Sequence, residues 1–123
     1  MKKIFYLKSC STNRRILKQI NPGSDVILQD IKEENIDEQT LDMLRDKFGS
    51  YEALFSKKAN KYRLMGLNKL VLQEKDYKRY LLEEYTFLKR PFILNDEEFF
   101  VGNSKEVVQA AIKSFKKGFL FVG

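Results

Sequence analysis

The sequence predicts an α/β domain in three layers, a four-stranded mixed sheet with an all-helical segment inserted at about residues 36–88. Three observations predict it. The first thirty residues read as strand, helix, strand. Residues 36 to 88 carry almost only helical periodicity. The last third returns to two short apolar runs around a polar turn, then one more amphipathic helix. At 123 residues the chain suits a single domain, residues 1–123, with a core of its own.

Each element has its own warrant. Lys2 to Leu7 is strand one, ending in the apolar run Ile4-Phe5-Tyr6-Leu7. Helix one runs from Thr12 to about Ile20, with Ile16, Leu17 and Ile20 on one face, and Asn21-Pro22-Gly23 stops it. Asp25 to Leu28 is strand two, parallel to the first through a right-handed crossover. Asp37 caps a second helix, Leu41, Leu44 and Phe48 form its stripe, and Gly49 closes it. Ser50 caps a short helix through Phe55, Lys61 to Leu67 adds a turn ending at Gly66, and a longer helix runs from about Lys75 into Phe87. Arg90-Pro91 breaks that helix. Phe92-Ile93-Leu94 and Phe99-Phe100-Val101 form a hairpin, expected to be buried on both faces. Asn103 caps the last helix with Glu106 at N3, Val107, Val108, Ala111, Ile112 and Phe115 line it, and Gly118 ends it. Phe119 to Val122 is an apolar tail, to be docked or to meet a partner.

Composition narrows the chemistry. There is one cysteine and no histidine. A lone cysteine excludes an internal disulfide framework and a cysteine-rich zinc site, and it suits a reducing cytoplasm. Lacking histidine, the chain has neither the commonest general base nor the commonest metal ligand, so no metal site is expected. The formal net charge is +6, but Lys and Arg interleave with Asp and Glu as on solvated faces. No helix-turn-helix, RNP or zinc-finger signature appears, and direct nucleic-acid binding is not expected. No apolar run spans a bilayer and no signal-peptide pattern opens the chain, so no membrane partner is expected.

The stretch from Tyr6 to Arg15 draws the eye. Cys10 stands where strand one ends and helix one begins, and Ser11, Thr12 and Asn13 are all able capping residues. The first amides of a helix and its positive dipole end stabilise a thiolate, and the cations Lys8, Arg14 and Arg15 add to this. Helix N-termini and basic neighbours are the usual means of activating a cysteine. Cys10 is therefore a candidate nucleophile or redox centre; the alternative is a small buried hydrophobe with inert sulfur. The paired acids Glu33-Glu34, Glu83-Glu84 and Glu97-Glu98 read as surface, and Tyr77, Tyr80 and Tyr85 as packing.

The element order, βαβ, helical block, hairpin and helix, is that of a thioredoxin-like fold with helices inserted in its middle. In that fold the junction of strand one and helix one carries the working thiol, faced by the residue before a cis-proline. Three segments in register resemble the family of glutaredoxin-dependent arsenate reductases and Spx-type regulators. They are Ile4-Phe5-Tyr6 with Cys10-Ser11-Thr12-Asn13-Arg14, then Ala53 to Lys58 with Tyr62 and Leu64 to Leu67, then Leu88 to Leu94 with Phe100-Val101-Gly102 and Glu106-Val107-Val108. The resemblance implies that Cys10 is the nucleophile, that Arg90 helps hold an oxyanion and that Pro91 is cis. Lys8, Ser11, Thr12, Asn13, Arg14 and Lys57 are the further candidates for holding an anion or the thiolate. It implies attack of the Cys10 thiolate on arsenate, displacement by glutathione as co-substrate with no bound cofactor, and glutaredoxin resolving the mixed disulfide. Arginine suits such a site because its planar fork grips oxyanions bidentately.

The chain departs from the pattern. The reductases place an arginine where Ser56 stands, and Lys57 beside it keeps the charge without the fork. Another family arginine falls near Gly102-Asn103, where there is no cation, and Tyr6 replaces a histidine that often precedes the cysteine. One charge-assisted clamp contact is worth about 1.5–3 kcal/mol. Losing two counts against arsenate itself as the substrate. The regulators commonly carry Cys-x-x-Cys; here the second position is Asn13, so a two-cysteine switch within the chain is impossible. Three readings stay open: a glutathione-coupled thiol oxidoreductase, an Spx-like binding module that touches RNA polymerase or another protein with Cys10 as a sensor, and a scaffold with an inert Cys10.

Overall fold

The computed structural model describes the backbone of residues 1–120 and the side chains of residues 1–116. In chain order its elements are β1 (Lys2–Tyr6), α1 (Ser11–Ile20), β2 (Ile27–Asp30), α2 (Glu38–Phe48), α3 (Asn60–Leu64), α4 (Glu74–Glu83), β3 (Phe92–Asn95), β4 (Glu98–Val101) and α5 (Lys105–Leu120). Short 3₁₀ turns cover Glu52–Leu54, Leu67–Lys69 and Tyr85–Phe87. The chain forms two compact units: Met1–Glu34 with the stretch from Arg90 onward, and Asn35–Lys89.

In the first unit the sheet runs β2-β1-β3-β4. β1 and β2 are parallel, with Tyr6 opposite Asp30. β1 and β3 are antiparallel, with Phe5 opposite Phe92, and β3 returns into β4 with Phe92 opposite Val101. Strand side chains alternate between faces. Ile4 and its partner Ile93 accordingly share one face, where they meet Ile16 and Ile20 of α1, Val26, and Val108 and Ala111 of α5. Each isoleucine or valine among them contributes about 1.5–3 kcal/mol on full burial.

Several boundaries move from their sequence positions. β2 lies at Ile27–Asp30 instead of Asp25–Leu28, because Val26 is drawn into the core cluster and the ladder starts opposite Lys3. The hairpin is buried on both faces only in part. Phe92, Ile93 and Leu94 of the inner strand are buried, while Phe99 to Val101 of β4 are half-buried because β4 is an edge strand. α5 is capped by Ser104, whose Oγ accepts from Val107 N–H at 3.2 Å, and not by Asn103. α5 also passes through Gly118 to Leu120; a helical glycine costs only about 1 kcal/mol against alanine. The side chains of the expected tail, Phe119 to Val122, lie outside the described residues.

In the second unit Asp37 caps α2 by accepting from Thr40 N–H at 2.8 Å, and Gly49 ends it at φ 96°. Ser50 Oγ accepts from Ala53 N–H at 3.0 Å, but the expected short helix is a 3₁₀ turn over Glu52–Leu54 whose N-cap is Tyr51 and not Ser50. The expected turn over Lys61 to Leu67 is instead α3 followed by a 3₁₀ turn, divided at Gly66 with φ 71°. α4 opens on a capping box of Gln73 and Asp76 and stops at Glu83, short of the expected Phe87. Tertiary bonds pull the chain out of the helix there. Phe87 O accepts from Ser56 N–H at 2.7 Å, Leu88 bridges to Phe55, and Lys89 N–H donates to Leu54 O at 3.0 Å. Phe55 centres this core, with ring centroids 4.8 Å from Phe87, 5.1 Å from Tyr77 and 5.8 Å from Tyr62.

Candidate active site

Cys10 is itself the N-cap of α1, with extended backbone at φ −88° and ψ 118°. Its carbonyl accepts the first helical bond, from Arg14 N–H at 3.0 Å, and its own N–H closes a turn on Leu7 O at 3.0 Å. The amides of Ser11, Thr12 and Asn13 therefore stand ahead of the first rung of a ten-residue helix, with its positive dipole end beside Cys10. These three residues form the first turn and do not cap it, so α1 begins at Ser11 and not Thr12. Asn13 has a different task. It is 1 % exposed, and its Oδ1 accepts from Leu7 N–H at 2.9 Å. Its Nδ2 has no hydrogen-bond partner among the described residues.

The loop carrying Cys10 is braced on other sides as well. Asp30 Oδ1 accepts from Lys8 N–H at 3.3 Å and from Lys32 N–H at 3.2 Å. Arg14 Nη1 donates to Lys8 O at 2.8 Å. Cys10 is half-buried, Ser11, Lys8 and Arg14 are exposed, and Thr12 is half-buried. Lys8, Arg14 and Arg15 have no acidic partner among the described residues.

Strand register brings the other candidates of this unit to the same end of the sheet. Phe5 lies opposite Phe92, so the chain leaving β1 toward Cys10 and the chain entering β3 through Arg90 and Pro91 lie at the same end of the sheet. Asp30 ends the parallel β2 at this edge. Gly102 leaves β4 beside it and donates its N–H to Pro91 O at 2.9 Å. The carboxyl ends of parallel strands are where ligands bind in open α/β sheets. The Arg90–Pro91 peptide is cis, Arg90 is half-buried and Pro91 is buried. No cation enters from Gly102 or Asn103.

Lys57 belongs to the second unit and is already engaged. Its Nζ donates to Glu52 Oε2 at 2.6 Å, and that bond raises the lysine above its ordinary value while lowering Glu52. Ser56, at the other arginine position of the pattern, uses its backbone to hold Phe87.

Sequence reading passes over Asp30 and takes Asn13 for a cap. The signal for Asp30 is its place at the carboxyl end of a strand parallel to β1. The brace made by Asn13 has no sequence signal, because it depends on where Leu7 turns. Among the described residues no group of three or more acidic or cysteine side chains could hold a metal ion. The arrangement can present a sulfur nucleophile at a positive helix end, with cations nearby that have no acidic partner among the described residues.

The fold is thioredoxin-like: a four-stranded mixed sheet whose first strand-helix junction carries the cysteine. The sequence profile of the ArsC family matches residues 5–111, and the chain belongs to that family. Among solved structures, an arsenate reductase from Vibrio cholerae is similar at 19 % identity and TM-score 0.73, over 88 % of this chain and 95 % of that one. An arsenate reductase (ArsC) related protein from Brucella melitensis is similar at 23 % identity and TM-score 0.63, over 89 % and 92 %. The YFFB protein is similar at 20 % identity and TM-score 0.74, over 91 % and 99 %. No curated protein matches the chain. No helix among the described residues is long and apolar enough to cross a membrane.

Proposed function

We propose that the chain is a single-cysteine thiol oxidoreductase of the arsenate reductase type, working in the cytoplasm, with Cys10 as nucleophile and glutathione and glutaredoxin as reductants. The observation that carries this is the half-exposed Cys10 capping α1 at the sheet end where Arg90 and Pro91 arrive. With one of the family's three clamp arginines present and Lys57 held by Glu52, arsenate is a poor substrate. The substrate class is instead a glutathione mixed disulfide. The Cys10 thiolate attacks the glutathione sulfur, a new disulfide forms between Cys10 and glutathione, and the substrate leaves as a thiolate. A glutaredoxin or second glutathione thiolate then attacks the Cys10-bound glutathione sulfur and releases Cys10. Two electrons pass from glutathione to the substrate disulfide, and no second cysteine is needed, in keeping with Asn13 at that position. Lys8, Arg14 and Arg15, without acidic partners among the described residues, suit the two carboxylates of glutathione.

The test is reduction of a small glutathione mixed disulfide by purified protein with glutathione as the only reductant, counted above the rate without the protein. Cys10→Ser is expected to abolish turnover and to remove the glutathione mass increment trapped on the wild type. Turnover that survives Cys10→Ser, or a wild type that reduces neither the mixed disulfide nor arsenate, overturns the proposal.

A further inference from the structure

We infer that the segment from Lys58 to Val71 docks the protein on an anionic lipid surface. Four apolar side chains within eight residues face water there: Leu64 at 82 % exposure, Met65 at 51 %, Leu70 at 58 % and Val71 at 96 %. Monomeric proteins seldom leave clustered apolar groups exposed without a use. The backbone holds them out in an ordered shape. Met65 N–H donates to Lys61 O and Gly66 N–H to Arg63 O, both at 2.9 Å, and Leu70 N–H donates to Leu67 O at 3.1 Å. Leu67, between them, is 2 % exposed and anchors the segment.

Charge identifies the occupant. Residues 57 to 73 contain Lys57, Lys58, Lys61, Arg63 and Lys69 and no Asp or Glu. Lys57 and Lys61 pair with Glu52 and Glu84. Lys58, Arg63 and Lys69 have no acidic partner among the described residues. A second copy docking through the same segment would bring the same positive charge against them. A protein partner would need pockets shaped around Leu64 and Val71, which stand clear of the surface. A fluid lipid layer takes protruding apolar tips without matched shape, and its anionic headgroups meet the flanking cations. Apolar insertion combined with basic residues is the pairing that holds proteins on such surfaces.

The experiment is co-sedimentation of the full chain with vesicles of phosphatidylcholine alone or mixed equally with phosphatidylglycerol. Binding to the anionic vesicles is expected to exceed binding to neutral ones by at least about tenfold and to weaken as salt rises. Lys69→Glu is expected to weaken it by more than about fivefold. The Leu64→Ser and Val71→Ser double variant, at sites whose exposure spares the fold, is expected to lose most of it with unchanged circular dichroism. Equal or absent sedimentation with both vesicles overturns the inference, as does full binding by the double variant. Saturable binding to an acidic protein without vesicle binding also overturns it.

Discussion

The cations around the helical core and those beside Cys10 are used in opposite ways. In the helical unit the basic side chains near the core hold acids. Lys78 bonds Glu38 at 2.9 Å and Asp42 at 3.1 Å, Lys57 bonds Glu52, and Lys61 bonds Glu84. Tyr51 and Tyr77 close the same network through Asp42 and Glu52, and Glu74 accepts from the amides of Tyr51 and Glu52. At the cysteine end of the sheet unit, Lys8, Arg14 and Arg15 have no acidic partner among the described residues, and the Asp30 carboxylate accepts from backbone amides. A lysine bonded to an acid holds the fold; a cation without one is open to a ligand.

The largest effect is expected at Phe55. It is 1 % exposed and touches three aromatic rings. Phe55→Ala should cost about 3–5 kcal/mol in urea unfolding, by lost burial and the cavity left behind. A cost under about 1 kcal/mol would mean that the ionic network, and not this cluster, holds the helical unit together.

Next is Asn13. Asn13→Ala leaves the Leu7 amide buried without its acceptor, which costs about 1–3 kcal/mol. It also frees the turn that sets Cys10 at the cap. Turnover of the glutathione mixed disulfide should therefore fall more than the stability loss explains, and the two are separated by assaying well below the unfolding temperature. Unchanged turnover in a folded variant would show that Cys10 is set by α1 alone.

Much of this was legible in the residues. The helix caps at Asp37 and Gly49 depend on bonds within a few residues, and they lie where the pattern puts them. The parallel β1–β2 pair and the β3–β4 hairpin follow from the order of apolar runs. What was not legible depends on distant partners. Asn13 reads as a cap until Leu7 claims its side chain. Helical spacing through Tyr85 persists in sequence, yet the bonds from Ser56 and Lys89 end α4 at Glu83. Lys57 looks like a ligand group until Glu52 is placed beside it.

A smaller effect comes from acid. Hydrogen bonds from Tyr51 and then Lys78 hold the Asp42 carboxyl below its ordinary 3.8, and Lys57 holds Glu52 below its ordinary 4.5. Carboxylates depressed in the folded state take up protons more readily when unfolded. Their stabilisation is complete above the unfolded values and is lost as pH falls through the folded ones. The urea midpoint should accordingly drop as pH is lowered from about 5 toward 3. Asp42→Asn should flatten that drop, and an equally steep profile in the variant would remove Asp42 from the network.

The smallest effect is expected at Lys57, where the division of cations is most exposed to test. The pair with Glu52 is about half exposed on both sides, 48 % and 50 %. Exposed pairs contribute about 0.2–1 kcal/mol, so Lys57→Ala should shift the urea midpoint only slightly. Turnover of the glutathione mixed disulfide should not change, because the ammonium is held by Glu52. Arg14→Ala, which removes a cation with no acidic partner among the described residues, should instead raise the KM for glutathione by about tenfold, the size of one charge-assisted bond. A tenfold KM change in Lys57→Ala with none in Arg14→Ala would return Lys57 to the ligand-binding cations. Pairing with an acid would then no longer separate the residues that hold this fold from those that serve Cys10.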